Sequence, residues 1–311
     1  MIDLIALCMV VKNLPAIKIY NDDVLKLLKN SMQSKEPLSC FLQSLADEFP
    51  DISLAVKMST NSYRTAFEEI QSAFARNIHM TFYGHELYPE NCYAMEDPPW
   101  VLSYIGTPCW RLPSLAVVGS REPSSESTQW MEKELLSLCS SERPVIVSGG
   151  ARGVDQKAHA LALRNFLPTI IVLPSGLGQI YPSTLESWVE SVVSSGGCLV
   201  SEYSLNQRMH KHLFHHRNRL IAALGDGTLL VEARRRSGTL ITARHAVQLG
   251  RPVWVVPGHP LDPHFLGSLD LLSEGAQLVR DAEDLKIFLR AERRDLDFPL
   301  VFLDDKSRGS H

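Results

Sequence analysis

The chain has 311 residues, of which 45% are apolar and 21% charged, with a formal net charge of −4; this exceeds one average domain, supplies a sizeable core, and argues against a disordered chain or an indiscriminate polyanion binder. Its opening run, Ile2 to Val11, is about ten residues long and apolar but for Asp3 before Lys12, short of the roughly 20 that cross a bilayer, and it has no basic leader or small-residue cleavage site, so neither a membrane span nor secretion is expected. Six cysteines, no two closer than 17 residues, give neither zinc-ribbon spacing nor a compact disulfide framework; reduced thiols in a cytoplasmic protein and no metal are expected.

The charge is unevenly placed. Residues 1–100 hold 8 basic and 13 acidic residues and residues 255–311 hold 7 and 11, whereas residues 203–251 hold nine basic residues against Asp226 and Glu232. One basic stretch inside an acidic protein predicts one polyanion site.

Along the chain, Val24, Leu25, Leu27 and Leu28, then Phe41, Leu42, Leu45 and Phe49, recur at helical spacing, which predicts a small all-α N-terminal domain over residues 1–75. Tyr88 to Pro108, rich in proline, reads as a connector carrying one short strand, VLSYI. From Leu115 the texture changes to short β-branched runs: LAVVG, PVIVSG, TIIVLPSG, CLVSE, GTLLVEA and PVWVVPG. None alternates with polar residues, as expected of strands covered on both faces. Between them lie helix-length segments such as VDQKAHALALRN and SGTLITARHAVQLG, the second stopping at Gly250. The alternation predicts an α/β fold, an extended Rossmann-like doubly wound, mostly parallel sheet, over residues 76–291. Residues 292–311 form a tail, in which Arg308, Gly309, Ser310 and His311 resemble the start of an expression tag and are set aside.

In such a sheet, ligands bind beyond the carboxyl ends of the strands. Three loops there share a chemistry: Gly119-Ser120-Arg121, then Ser148-Gly149-Gly150-Ala151-Arg152-Gly153, then Arg234-Arg235-Arg236-Ser237-Gly238-Thr239. Each joins glycine, a hydroxyl and arginine ahead of a helix N-terminus, which together make an anion cradle. Any one of them serves a tight turn equally well, and the arginine triplet alone is most often a solvated loop; all three together point to phosphate. Gly149, Gly150 and Gly153 have the wrong spacing for a dinucleotide fingerprint and no ribose-clamping acid follows, so no nucleotide cofactor is expected.

The densest signal is HKHLFHHRNRL, His210 to Leu220. Lys211, Arg217 and Arg219 offer phosphate contacts, Asn218 a base edge or a loop brace, and Phe214 a stacking platform, the mixture a single strand requires. Core packing is the competing assignment for Phe214. His210, His212, His215 and His216 have no cysteine nearby and read as polar surface that gains charge at mildly acidic pH. Glu202, Glu232, Asp155 and His159 are the residues a hydrolase would use; bracing of neighbouring arginines is the preferred assignment for the carboxylates.

These residues resemble a known family. VVGSREPS (117–124), VSGGARGVDQKAHALAL (147–163), SGLGQIYP (175–182), SEY (201–203), FHHRNRLIAAL (214–224), VEARRRSGTLITARHAVQLGRPVWVVPG (231–258) and LLSEGAQLV (271–279) are similar, in order and spacing, to the core of the DprA/Smf DNA-processing proteins. LYPE from Leu87 and DPPWVLSYIG from Asp97 extend the match, so that it covers roughly residues 80–280. The resemblance implies a cytoplasmic, homodimeric, single-stranded-DNA-binding protein that is not an enzyme, protects incoming strands and helps load the RecA recombinase in natural transformation. Carried over by position, its DNA site is Gly119, Ser120, Arg121, Ser148, Gly149, Arg152, Lys211, Phe214, Arg217, Asn218 and Arg219; Ser237, Gly238 and Thr239 join them from the loop chemistry. The chain departs from the family at Glu126-Ser127, where Tyr-Gly is usual, and at Leu269, where Asn is usual. Its N-terminal region resembles the family's sterile-alpha-motif-like domain only weakly, and no winged helix fits after Leu289.

An alternative of another class is a nucleotide monophosphate phosphoribohydrolase on a related fold, which GDGTLLVEA from Gly225 resembles faintly. Asp226 stands there where a phosphate loop wants glycine. A protein-interaction scaffold is a third alternative, which failure to bind oligonucleotides at low salt would single out.

Overall fold

The computed structural model describes Met9 and residues 60–286. The two helices expected from Val24 and Phe41 and the tail from residue 292 lie outside those residues. The domain division at residue 75 falls just after a described helix, α1 (Thr60–Phe74). Its apolar face, Ala66, Ile70 and Ala73, is buried in the same core as the sheet that follows.

That sheet has nine strands: β1 (His79–Phe82), β2 (Val101–Gly106), β3 (Ser114–Val118), β4 (Val145–Ser148), β5 (Thr169–Val172), β6 (Cys198–Ser201), β7 (Thr228–Leu230), β8 (Val253–Val255) and β9 (Gln277–Leu278), in the order β1-β2-β6-β5-β4-β3-β7-β8-β9. β3 to β9 are parallel to their neighbours except where β6 meets β2, and β1 and β2 form an antiparallel edge. The six apolar runs are β3 to β8 and VLSYI is β2, so the Rossmann-like expectation holds. The edge strands β1 and β9 were not marked; HMTF and QL are too short for a periodic signal.

Helices cover both faces. After β3 come α2 (Ser125–Trp130) and α3 (Leu136–Glu142), joined by one wide turn over Met131–Leu135. α4 (Val154–Arg164) follows β4, α5 (Val189–Ser194) precedes β6, α6 (Lys211–Leu224) follows it, α7 (Thr239–Gln248) follows β7 and α8 (Leu266–Ser273) follows β8. Alternate strand residues enter opposite cores. Ala116, Val118, Val145 and Val147 meet α6 and α7, while Leu115, Val117 and Ile146 meet the Met131–Leu138 segment and α4. This is why the runs show no polar alternation. Gly250 takes φ +69 just after α7, the left-handed turn expected to stop it.

From β3 the chain winds one way to β4, β5 and β6, then returns to β3's other side as β7. The order therefore reverses between β3 and β7, and their loops diverge there to leave a crevice.

Candidate nucleic-acid interface

The crevice is a cleft of about 610 Å³, lined by Gly119, Ser120 and Arg121 after β3, by Arg234 to Thr239 after β7, and by Lys211, Phe214, Arg217 and Asn218 of α6. Ten of the fourteen residues predicted from the sequence meet there: Gly119, Ser120, Arg121, Lys211, Phe214, Arg217, Asn218, Ser237, Gly238 and Thr239.

Its loops are tied to one another. A Cβ on Gly119 would come within 2.6 Å of Val154, and one on Gly153 (φ +92) within 2.4 Å of the Ser120 carbonyl; only glycine lets the β3 and β4 loops close together. The Thr239 hydroxyl donates to the Gly119 carbonyl at 3.0 Å and the Asn218 amide to the Gly238 carbonyl at 3.2 Å. Asn218 therefore takes the bracing role. Ser237 Oγ accepts the Thr239 N–H at 3.0 Å, which uses one of the free amides of α7.

On α6 the spacing 211, 214, 218 sets Lys211, Phe214 and Asn218 along one face. Phe214 is half-buried on the cleft wall and lies outside both cores. The Arg121 guanidinium sits 5.1 Å from its ring centre and that of Arg217 5.8 Å away, while Tyr181 meets it edge to face.

Four predicted residues do not line the cleft. Ser148 is fully buried and donates to the Val117 carbonyl at 2.6 Å. Gly149 faces inward, where a Cβ would fall 2.4 Å from the Arg217 guanidinium. Arg152 projects into solvent opposite Glu122, at 3.4 Å. Arg219 lies on the other side of α6, bonded to Glu202 and, at 2.6 Å, to the Asp97 carbonyl. The Ser148–Gly153 loop, which reaches the cleft through Ala151, is braced from within by Asp155. Its buried carboxylate accepts the Ala151 N–H at 3.3 Å, so an internal anion already occupies that turn.

Beneath the cleft, Arg217 is 2% exposed and donates to the Gly149 carbonyl at 2.7 Å and to that of Val172. Burial pushes Arg217 down to about 10 and Asp155 up to about 6, each opposed by the other's charge. Arg217 thus stays cationic at neutral pH but is committed to the floor.

Sequence reasoning passes over Tyr181 and Met209, reads His215 only as polar surface and gives little weight to Arg234, Arg235 and Arg236, all of which line the cleft. Tyr181 stands in the SGLGQIYP motif, where a lone aromatic carries no periodicity. Within the triplet, Arg235 is held bidentately by Asp270 at 2.7 and 2.8 Å and Arg234 bonds His264. Arg236, in a left-handed conformation (φ 62) and exposed, forms no ion pair with a described residue.

Of the residues a hydrolase would use, Asp155 reaches the cleft, where it is tied to the Ala151 N–H and faces Arg217, and the others are engaged elsewhere. Glu232 is fully buried and its Oε2 accepts the Ser124 N–H at 2.8 Å and the Ser124 and Ser127 hydroxyls at 2.7 Å each; it braces serines rather than an arginine. Glu202 does brace one, Arg219. His159 is buried against the Thr169 hydroxyl at 2.7 Å and is pushed down to about 3 by burial and then by Arg217. Asp226 binds Ser114 N at 2.8 Å, and its loop precedes β7, at the end of the sheet opposite the cleft.

Comparison with known proteins agrees with the fold and shows the family. Residues 79–290 match the family model described as DNA recombination-mediator protein A. The chain is 37% identical over 201 residues to DNA processing protein DprA of Streptococcus pneumoniae, covering 64% of this chain and 70% of that one. It is 36% identical over 236 residues to protein Smf of Escherichia coli, covering 75% of this chain and 61% of that one. The crystal structure of the Streptococcus pneumoniae protein superposes with a TM-score of 0.72 at 29% identity, over 92% of this chain and 97% of that one. A structure of DNA processing protein A from Helicobacter pylori, described for its single-stranded DNA binding mode, superposes with a TM-score of 0.59 at 30% identity, over 70% and 96%.

Proposed function

Because this chain belongs to the DNA recombination-mediator protein A family, that of the DprA/Smf DNA-processing proteins, we propose that it binds single-stranded DNA in the cleft between β3 and β7 and acts as a recombination mediator. The observation that carries this reading is the pairing of an accessible aromatic ring, Phe214, with cations around it: Arg121, Lys211 and Arg236. A single strand offers a base face to the ring and phosphates to the cations, whereas a duplex hides its base faces.

Arg121 over Phe214 is worth about 0.5–1 kcal/mol at an exposed site, and a base stacked there about 1–3 kcal/mol. A base therefore displaces the guanidinium, which then meets the adjacent phosphate. The Ser120 hydroxyl and the Gly238 N–H supply neutral donors beside it.

The reading is of a binding protein rather than an enzyme, since Glu232 and His159 are buried in other bonds and the Gly225–Thr228 turn lies at the far end of the sheet. Release of free base from nucleoside monophosphates, abolished by Glu232→Gln, would reinstate the phosphoribohydrolase alternative. On the family's grounds the protein works as a homodimer, hands the strand to RecA and acts in the cytoplasm. The buried free thiols Cys92, Cys109, Cys139 and Cys198 suit a reducing compartment. The same family grounds extend to protection of incoming strands in natural transformation.

Salt dependence tests the assignment. Lys211→Ala and Arg236→Ala are each expected to flatten the log-log salt slope of oligo-dT binding by roughly 0.7, while Arg235→Ala, whose charge is spent on Asp270, leaves the slope near wild type. Equal effects of all three would show a diffuse field instead of discrete contacts.

A further inference from the structure

Besides Phe214, the cleft is lined by a second large aromatic side chain, Tyr181. The residue is 39% exposed, and its hydroxyl forms no hydrogen bond with a described residue. It is held firmly nonetheless. The Gly176 and Gly178 N–H groups donate to the carbonyls of Gln207 and Leu205 at 2.9 and 2.8 Å, and a Cβ on Gly176 would lie 2.0 Å from the Ser204 carbonyl. The segment leading to Tyr181 is thereby clamped to the strand-to-helix connection that leads into Lys211 and Phe214. A ring fixed before binding loses little freedom when a base stacks on it.

The two rings stand 5.7 Å apart, centre to centre, with their planes at 84°. Successive bases of a stacked strand are parallel, and rings at right angles cannot both receive such a pair. We propose that Tyr181 and Phe214 receive two bases of one strand on nearly perpendicular rings, so that the bound strand is broken open at that step. The inference rests on the cleft's being the single-strand site, and it adds to that site a second platform and the shape of the strand within it. A duplex cannot adopt this shape without unpairing, so the ring angle itself discriminates against paired bases.

The test uses a short dT strand whose central step is a pair of adjacent 2-aminopurines, read by the exciton couplet that stacked 2-aminopurines give in circular dichroism. Binding to the wild-type protein is expected to abolish the couplet. Tyr181→Phe is expected to do the same, because the ring and not the hydroxyl is used. Tyr181→Leu keeps apolar bulk but has no aromatic face; it is expected to weaken binding by roughly 5- to 150-fold, the loss of one base–aromatic stack, with an unchanged melting temperature. A couplet that survives wild-type binding, or Tyr181→Leu binding with wild-type affinity, overturns the proposal while leaving the cleft as the binding site. Failure of the wild-type protein to bind the strand at all overturns both.

Discussion

Phe214 and Arg217 sit three residues apart on one helix and have opposite fates. The motif HKHLFHHRNRL nominated both as DNA contacts, since sequence shows a residue's chemistry and not the direction in which it points. Phe214 is on the cleft wall, so Phe214→Ala is expected to weaken oligonucleotide binding by about 1–3 kcal/mol with an unchanged salt slope, because no counterion is released at a stacking contact. A melting loss on the scale of about 3–5 kcal/mol would mark it as core instead. Arg217 is buried between the Gly149 and Val172 carbonyls with Asp155 nearby. Its replacement by Ala strands two acceptors and a carboxylate, and a loss of about 3–5 kcal/mol in stability is expected from the urea midpoint. An unchanged midpoint with weakened binding would return Arg217 to direct contact with the strand. The sequence held no sign of this difference, because the partners of Arg217 are main-chain carbonyls 45 and 68 residues away.

Helix α6 joins the cleft to a second cluster on its other side. There His216 faces Asp97 at 3.8 Å and Glu202 at 3.4 Å, with the Tyr203 hydroxyl at 3.2 Å and Arg219 beside it. The two carboxylates, Asp97 first, raise His216 from 6.5 to about 9 against burial and Arg219. The sequence reading of His216, as polar surface that gains charge at mildly acidic pH, does not foresee these partners, which lie 119 and 14 residues away in the chain. A folded value above the unfolded one stabilises the protein fully below 6.5 and loses that contribution as pH rises through about 9. The melting-temperature advantage of wild type over His216→Gln is therefore expected to be largest near pH 6 and to shrink steadily towards pH 9. An advantage independent of pH would show that the imidazole packs here without its charge. The helices themselves were legible where glycine marks their ends, as at Gly250, and the strands where both faces are covered. β1 and β9 were not, since their places are set by the neighbours they pair with.

Over the whole molecule, seven of the nine basic residues at 203–251 fall into three groups. Lys211, Arg234, Arg235 and Arg236 line the cleft, Arg217 forms its floor, and Arg219 and Arg251 pair with Glu202 and Asp226. Charge counting marks the stretch but does not tell cations facing the cleft from cations spent on the fold. Topology and the direction of each side chain make that distinction: the sheet reverses its order between β3 and β7, and the crevice there is walled by their loops and by one face of α6. If this crevice accepts one strand and excludes two, titration of labelled oligo-dT against a duplex of equal length at two salt concentrations is expected to show the single strand bound more tightly at both, with weaker binding at the higher salt; equal or tighter binding of the duplex, or no binding of oligo-dT at low salt, would overturn the single-strand assignment.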